Sequence, residues 1–154
     1  MAVNFSFATA GQIIFGNHSL EKVPGLVAGF GQNVVLVTGK NSSRAKELMA
    51  KFSPGTDTVF FNVNDEPTTD LIEAGVQLAR DHASEVIVGF GGGSVVDSAK
   101  AIAALATNKG ELLDYLEVIG RGKPLTEKPL PCIAIPTTAG TGAEVTKNSV
   151  IKSP

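Results

Sequence analysis

The stretch EVIVGFGGGSVVDSAKAIAALA, residues 85–106, decides how this chain folds. Val86-Ile87-Val88 is apolar at every position, which suits a parallel strand covered on both faces. It runs into Gly89-Phe90-Gly91-Gly92-Gly93. A helical stripe then follows at Val95, Ala99, Ile102 and Leu105, spaced as one face of an α-helix. Ser94 and Asp97 stand in the spacing of a capping box, with the hydroxyl expected on the Asp97 N–H and the carboxylate on the Ser94 N–H. A strand, a glycine turn and a helix start together make an anion site, commonly for phosphate, because the first N–H groups of a helix have no intrahelical acceptor. The pattern is not G-x-G-x-x-G, since Ser94 holds the last glycine place. It is not a Walker loop either: Gly39-Lys40 is followed by Asn41, and Gly122-Lys123 by Pro124. Taken alone, the glycines are better read as a tight strand-to-helix connection that needs them only for its turn.

Outward from this unit the pattern repeats. Val34-Val35-Leu36-Val37, Thr58-Val59-Phe60-Phe61 and Cys132-Ile133-Ala134-Ile135 are further strand-like runs. Helical stripes lie at Ala45, Leu48, Met49 and Phe52, and at Leu71, Gly75, Leu78, Ala79 and His82, with a short helix expected over residues 112–116. Alternating strands and helices predict an α/β fold: an open, mostly parallel, Rossmann-like sheet with helices on both faces. Val3, Phe5 and Phe7 alternate with polar residues and, with residues 12–15, predict a short N-terminal antiparallel strand pair. Residues 121–131, with three prolines, read as a surface loop within one domain spanning residues 1–154.

A second loop follows the last strand: Ile135-Pro136-Thr137-Thr138-Ala139-Gly140-Thr141-Gly142-Ala143-Glu144. Thr141 and Glu144 repeat the capping-box spacing. Both loops fall at the carboxyl ends of parallel strands, hence on the sheet edge where open α/β sheets bind ligands. The pair turns an ambiguous turn into a nucleotide site.

Composition narrows the classes. A chain of 154 residues with a net charge of −2 gives no reason to expect nucleic acid or an anionic membrane as partner. The lone Cys132 makes no internal disulfide and no thiolate cluster, which fits a reducing, cytoplasmic setting. No apolar run approaches the ~20 residues of a membrane helix, and the start lacks the basic-then-apolar order of a signal peptide.

GGGSVVDSAKAIA (residues 91–103) and IPTTAGTGAEVT (residues 135–146), with FATAGQIIFG and VTGKNSSRA upstream, resemble the iron-containing, or group III, alcohol dehydrogenases over essentially the whole chain. The resemblance implies an N-terminal domain that binds NAD or NADP. It also implies a separate helical domain whose Asp and three His hold iron or zinc to polarise a small alcohol or carbonyl substrate for hydride transfer. Carried over by position, Gly92, Gly93 and Ser94 match pyrophosphate contacts and Asp97 is the acidic residue that follows them in the cofactor site; Thr137, Thr138 and Thr141 lie beside the adenosine and phosphates, and Asn148 and Val150 approach substrate and nicotinamide. Related readings are the cofactor domain of a glycerol dehydrogenase or dehydroquinate synthase; a reading of another class is a standalone nucleotide-binding or regulatory module.

The segment after residues 34–37 bears on the cofactor. An acid there would bind the ribose 2′-OH of NAD. Instead it holds Gly39, Lys40, Ser42, Ser43 and Arg44, which predicts a preference for NADP through contacts to its 2′-phosphate; the competing reading makes Ser42 or Ser43 a helix cap with the cations in solvent. His18 and His82 are the only histidines. His18 falls in a turn and His82 ends a helical stripe as a structural residue. The resemblance places every metal ligand downstream, so the chain is expected to be the cofactor half, binding dinucleotide without metal-dependent turnover. Residues 148–151 read as a strand awaiting a partner, an exposed edge that invites association, such as a homo-oligomer.

Overall fold

The computed structural model describes residue 4 and residues 8–153. Strands β1 (Asn33–Thr38), β2 (Asp57–Asn62), β3 (Val86–Gly91) and β4 (Cys132–Pro136) form a parallel sheet in the order β2-β1-β3-β4. Helices α1 (Val23–Phe30), α2 (Ser43–Met49), α3 (Thr69–Asp81), α4 (Gly93–Thr107) and the single-turn α5 (Leu112–Tyr115) cover it. The α/β class thus stands as the sequence implied; burial on both faces holds for the central β1 and β3, while the edge strands β2 and β4 are only half-buried.

Side chains of a strand point alternately to its two faces. Val34 and Leu36 of β1 join Val86 and Val88 of β3 on one face, under Val23 and Val27 of α1 and Ala45 and Leu48 of α2. Val35, Val37 and Ile87 face the other way, under Ala79 of α3 and Val95, Ala99 and Ile102 of α4. The four β1 valine and leucine side chains are fully buried. Each contributes about 1.5–3 kcal/mol by leaving water, so both layers are needed to hold this strand at the centre.

The connection from β1 goes to β2 on one side, and the chain then crosses back to β3 on the other. Winding reverses between β1 and β3, and the helices leaving these two strands lie on opposite faces. A crevice opens beyond their carboxyl ends, the usual ligand position in such sheets.

Several expectations are corrected. Residues 12–15 form no strand; Ile13 and Phe15 are exposed, and no strand among the described residues offers them hydrogen bonds. Val3, Phe5 and Phe7 lie outside the described residues. The strand expected over residues 148–151 does not form; Val150 is held by the Asp97 carboxylate of α4, and the nearest pairing is an isolated parallel bridge between Thr68 and Lys152. Helix α1, which its glycines conceal in the sequence, forms because Val23 and Val27 share one buried face, Pro24 sits harmlessly in the first turn, and Gly25 and Gly29 face solvent. The α2 stripe stops at Met49, and Phe52 packs from the turn beyond it. Residues 121–131 are the irregular surface segment expected. Buried Asn108 pins it through the Thr126 and Glu127 N–H groups, both at 3.0 Å. Among the described residues, no helix is long and apolar enough to cross a membrane.

The start of β1 is fixed by charge. The Glu85 carboxylate accepts from the Gln32 N–H at 2.7 Å and the Asn33 N–H at 3.1 Å. These bonds hold its carboxyl below the usual glutamate value. A depressed folded-state pKa stabilises above the unfolded value and is lost as pH falls through the folded one. Glu85→Gln should therefore lower Tm near neutrality, with the gap to the parent protein closing below about pH 4. A gap independent of pH in thermal melts would show that the carboxylate charge does not carry the effect.

Candidate functional site

Everything distinctive about the site follows from how α4 begins. Its N-cap is Gly92, in extended conformation, with no side chain capping the helix. The capping box expected from Ser94 and Asp97 does not form. Ser94 lies inside the first turn, where its carbonyl accepts from the Ser98 hydroxyl at 2.8 Å. Asp97 is engaged elsewhere. The first intrahelical bond runs from Val96 N–H to the Gly92 carbonyl at 3.0 Å. The Gly93, Ser94 and Val95 N–H groups therefore precede the helical ladder and meet no acceptor among the described residues. They open a helix of fifteen residues, whose aligned peptide dipoles add about half a positive charge at this end.

The glycines serve close approach rather than unusual dihedrals. A Cβ on Gly89 would fall 2.7 Å from the Ala99 Cβ, and one on Gly91 would fall 2.5 Å from the Val95 Cγ2. These two bring α4 hard against β3. A Cβ on Gly92 would meet the Thr138 Oγ1 at 3.3 Å, and one on Gly93 the Thr141 Cγ2 at 3.2 Å. The second loop thus lies directly beside the first, anchored by the Thr137 N–H on the Gly91 carbonyl at 2.8 Å. Residues some 45 positions apart in sequence converge on one helix end.

Two clefts of about 420 Å³ each flank this turn. One lies at the β1/β3 reversal. Gly39, Asn41 and Arg44 line one wall, and Phe90, Gly92 and Thr137 the other. The second lies along α4, with Gly93, Asp97 and Thr141 facing Lys147, Asn148 and Val150. The sequence-based candidates Gly39, Gly92, Gly93, Asp97, Thr137, Thr141, Asn148 and Val150 therefore line two adjoining clefts, with Thr138 beside Gly92. Lys40, Ser42, Ser43 and Ser94 line neither. The exposed Lys40 ammonium is 3.8 Å from the Asp65 carboxylate. Ser42 is the N-cap of α2 but makes no side-chain cap bond. The capping group is Asn41, whose Oδ1 accepts from the Ser43 N–H at 3.1 Å and the Ser43 hydroxyl at 2.7 Å.

Sequence reasoning missed Phe90 as a wall residue. Arg44 lies over its ring, 5.5 Å from the centroid, so the guanidinium is held at the mouth of the first cleft. It also misread the second loop. Thr141 and Glu144 start no helix; residues 143–145 form a turn, and the Thr141 Oγ1 accepts from the Ala143 N–H at 3.4 Å. His82, partly buried, approaches the Asp57 carbonyl at 3.4 Å, a structural contact at the start of β2. No three His, Cys, Asp or Glu side chains among the described residues converge as metal ligands, so these residues do not fit a metal centre.

Comparison with known proteins agrees with this fold. The iron-containing alcohol dehydrogenase family profile matches residues 10–154. The long-chain primary alcohol dehydrogenase of Thermoanaerobacter ethanolicus is 32% identical over 91% of this chain and 37% of its own length. Among solved structures, an archaeal halo-thermophilic Red Sea brine pool alcohol dehydrogenase superposes with a TM-score of 0.85 at 33% identity, over 99% of this chain and 41% of that one. The sulfoacetaldehyde reductase of Bifidobacterium kashiwanohense, solved in complex with NAD+, gives 0.81 at 31% identity over 94% and 39%. The chain belongs to the iron-containing alcohol dehydrogenase family. It spans about two fifths of the length of these relatives.

The packing role of the glycine turn is separable from any binding role. Gly91→Ala should cost about 1–3 kcal/mol of stability, as overpacking does. Urea unfolding that shows no loss would contradict the close β3–α4 approach.

Proposed function

We propose that this chain is the dinucleotide-binding domain of a metal-dependent alcohol or aldehyde oxidoreductase. The observation that carries the reading is the uncapped N-terminus of α4 between two clefts. Its free N–H groups suit a pyrophosphate. The cleft at Gly39, Arg44 and Phe90 takes the adenosine half, with Thr137 and Thr138 beside the phosphates. The cleft at Asp97, Asn148 and Val150 takes the nicotinamide half, with Thr141 at its phosphate end beside Gly93. Gly92, Gly93 and Ser94 present backbone to the phosphates, and Asn148 lies where a substrate would meet the nicotinamide. The bound nicotinamide supplies the hydride chemistry; the residues of this chain orient it and shield it. The metal that polarises a small alcohol or carbonyl belongs to residues outside this set. The family match and the NAD+-bound relative support this reading over a standalone regulatory module or a glycerol dehydrogenase or dehydroquinate synthase relationship.

Within this reading the cofactor is NADP in preference to NAD. No acid stands at the end of β1, where Gly39 leaves space: a Cβ there would find nothing nearer than 3.8 Å. Arg44, fixed over Phe90, is the cation best placed for a 2′-phosphate, with Lys40, Ser42 and Ser43 on the same connection.

Gly92→Val tests the site. Its backbone, at φ −76° and ψ −172°, accepts valine, and the one near atom, the Thr138 Oγ1 at 3.3 Å, ends a side chain that can turn aside, so the fold should survive. Dinucleotide affinity should fall at least about tenfold, or ~1.4 kcal/mol, in a fluorescence titration. Undiminished binding would remove Gly92 from the site. In the same assay the parent protein should bind NADPH more tightly than NADH, and Gly39→Asp should reverse the order by setting a carboxylate against the 2′-phosphate. Equal or tighter NADH binding by the parent would overturn the NADP assignment.

A further inference from the structure

The reading above leaves one strongly built feature unused. Lys100, one turn into α4 from Asp97, is largely buried, with its ammonium 2.9 Å from the Asp97 Oδ1. The same ammonium reaches across to the second cleft wall. It donates to the Thr146 carbonyl at 3.2 Å, the Thr146 hydroxyl at 3.3 Å and the Asn148 carbonyl. Asp97 completes the link, its Oδ2 accepting from the Val150 N–H at 3.3 Å. Both side chains are only about one-seventh exposed. Water competes poorly for such a pair, and charge-assisted bonds to backbone are correspondingly firm.

Residues 146–150 have no regular structure of their own. Their backbone polar groups are tied to α4 by these two side chains, while Val145 is held from outside by the Thr9 hydroxyl at 2.8 Å. The wall of the second cleft is therefore set by the Asp97–Lys100 pair, on the same rigid helix whose first turn faces the phosphates. The first cleft lies on the other side of the glycine turn, and Lys100 does not line it.

We propose that Lys100 is a positioning residue for the nicotinamide half of the dinucleotide: it holds Thr146 and Asn148 so that segment 146–150 forms a fixed wall at the nicotinamide ribose and substrate side. The inference rests on the dinucleotide reading of the two clefts. Lys100 touches no cofactor itself and acts through the segment it holds.

The test compares two ligands on Lys100→Met and Lys100→Arg. Methionine keeps the length and apolar stem of lysine and removes the charge; arginine keeps the charge. ADP carries the adenosine and pyrophosphate but no nicotinamide. Lys100→Met should weaken NADPH about tenfold in a fluorescence titration while leaving ADP within about twofold by calorimetry, and Lys100→Arg should restore most of the NADPH affinity. Equal weakening of both ligands would make Lys100 a general support of the fold and overturn the proposal. Undiminished NADPH binding by Lys100→Met would overturn it too, leaving the dinucleotide reading intact. If the parent protein binds neither ligand, the dinucleotide reading itself fails, and the role of Lys100 with it.

Discussion

The structure turns on one unmet demand: α4 begins with N–H groups that nothing in the described chain satisfies. A side-chain cap is ordinarily worth about 1 kcal/mol, and Ser, Thr, Asp or Asn supplies it at most helix starts. Here Gly92 occupies the cap position, Ser94 is already inside the helix, and Asp97 has turned to Lys100 and Val150. The helix forgoes the cap, and the donors face the space between two clefts. A phosphate placed there would complete the helix start and gain from the dipole at once.

The rest of the fold makes that arrangement possible. Parallel pairing of β1 with β3 sets the winding reversal at the site. Gly89 and Gly91 let α4 press onto β3, which fixes where its first turn lies. The Thr137 N–H, held by the Gly91 carbonyl, draws the second loop alongside. The Asp97–Lys100 pair then fastens the following segment to the same helix. These contacts gather the second loop, the end of β3 and segment 146–150 around the first turns of α4, so the helix and the strand it follows frame both clefts.

The sheet was legible in the sequence because its signal is local. Runs apolar on both faces, such as Val34 to Val37, can be buried only between two layers. The α1 helix was not legible: Pro24, Gly25 and Gly29 argue against a helix, and only the packing of Val23 and Val27 on the sheet overrides them. The caps failed for a related reason. A Ser-x-x-Asp spacing marks a helix start only if the chain is free to choose it. Packing of Gly91 against Val95 started α4 earlier, and the Asp97 carboxylate was claimed by an N–H 53 residues away. Likewise Ser42 and Ser43 promised a cap, and their neighbour Asn41 provided it. Phe90 read only as a residue of the glycine turn, since nothing local shows that Arg44 crosses over to cover it.

The central claim is that the first-turn amides of α4 receive the pyrophosphate. Backbone amide NMR of the labelled protein, titrated with NADPH and separately with inorganic pyrophosphate, tests it at the atoms concerned. The account predicts that the Gly93, Ser94 and Val95 amide signals shift in both titrations and saturate with the ligand. If those three amides stay fixed while NADPH binds, the dinucleotide sits elsewhere and the account is wrong.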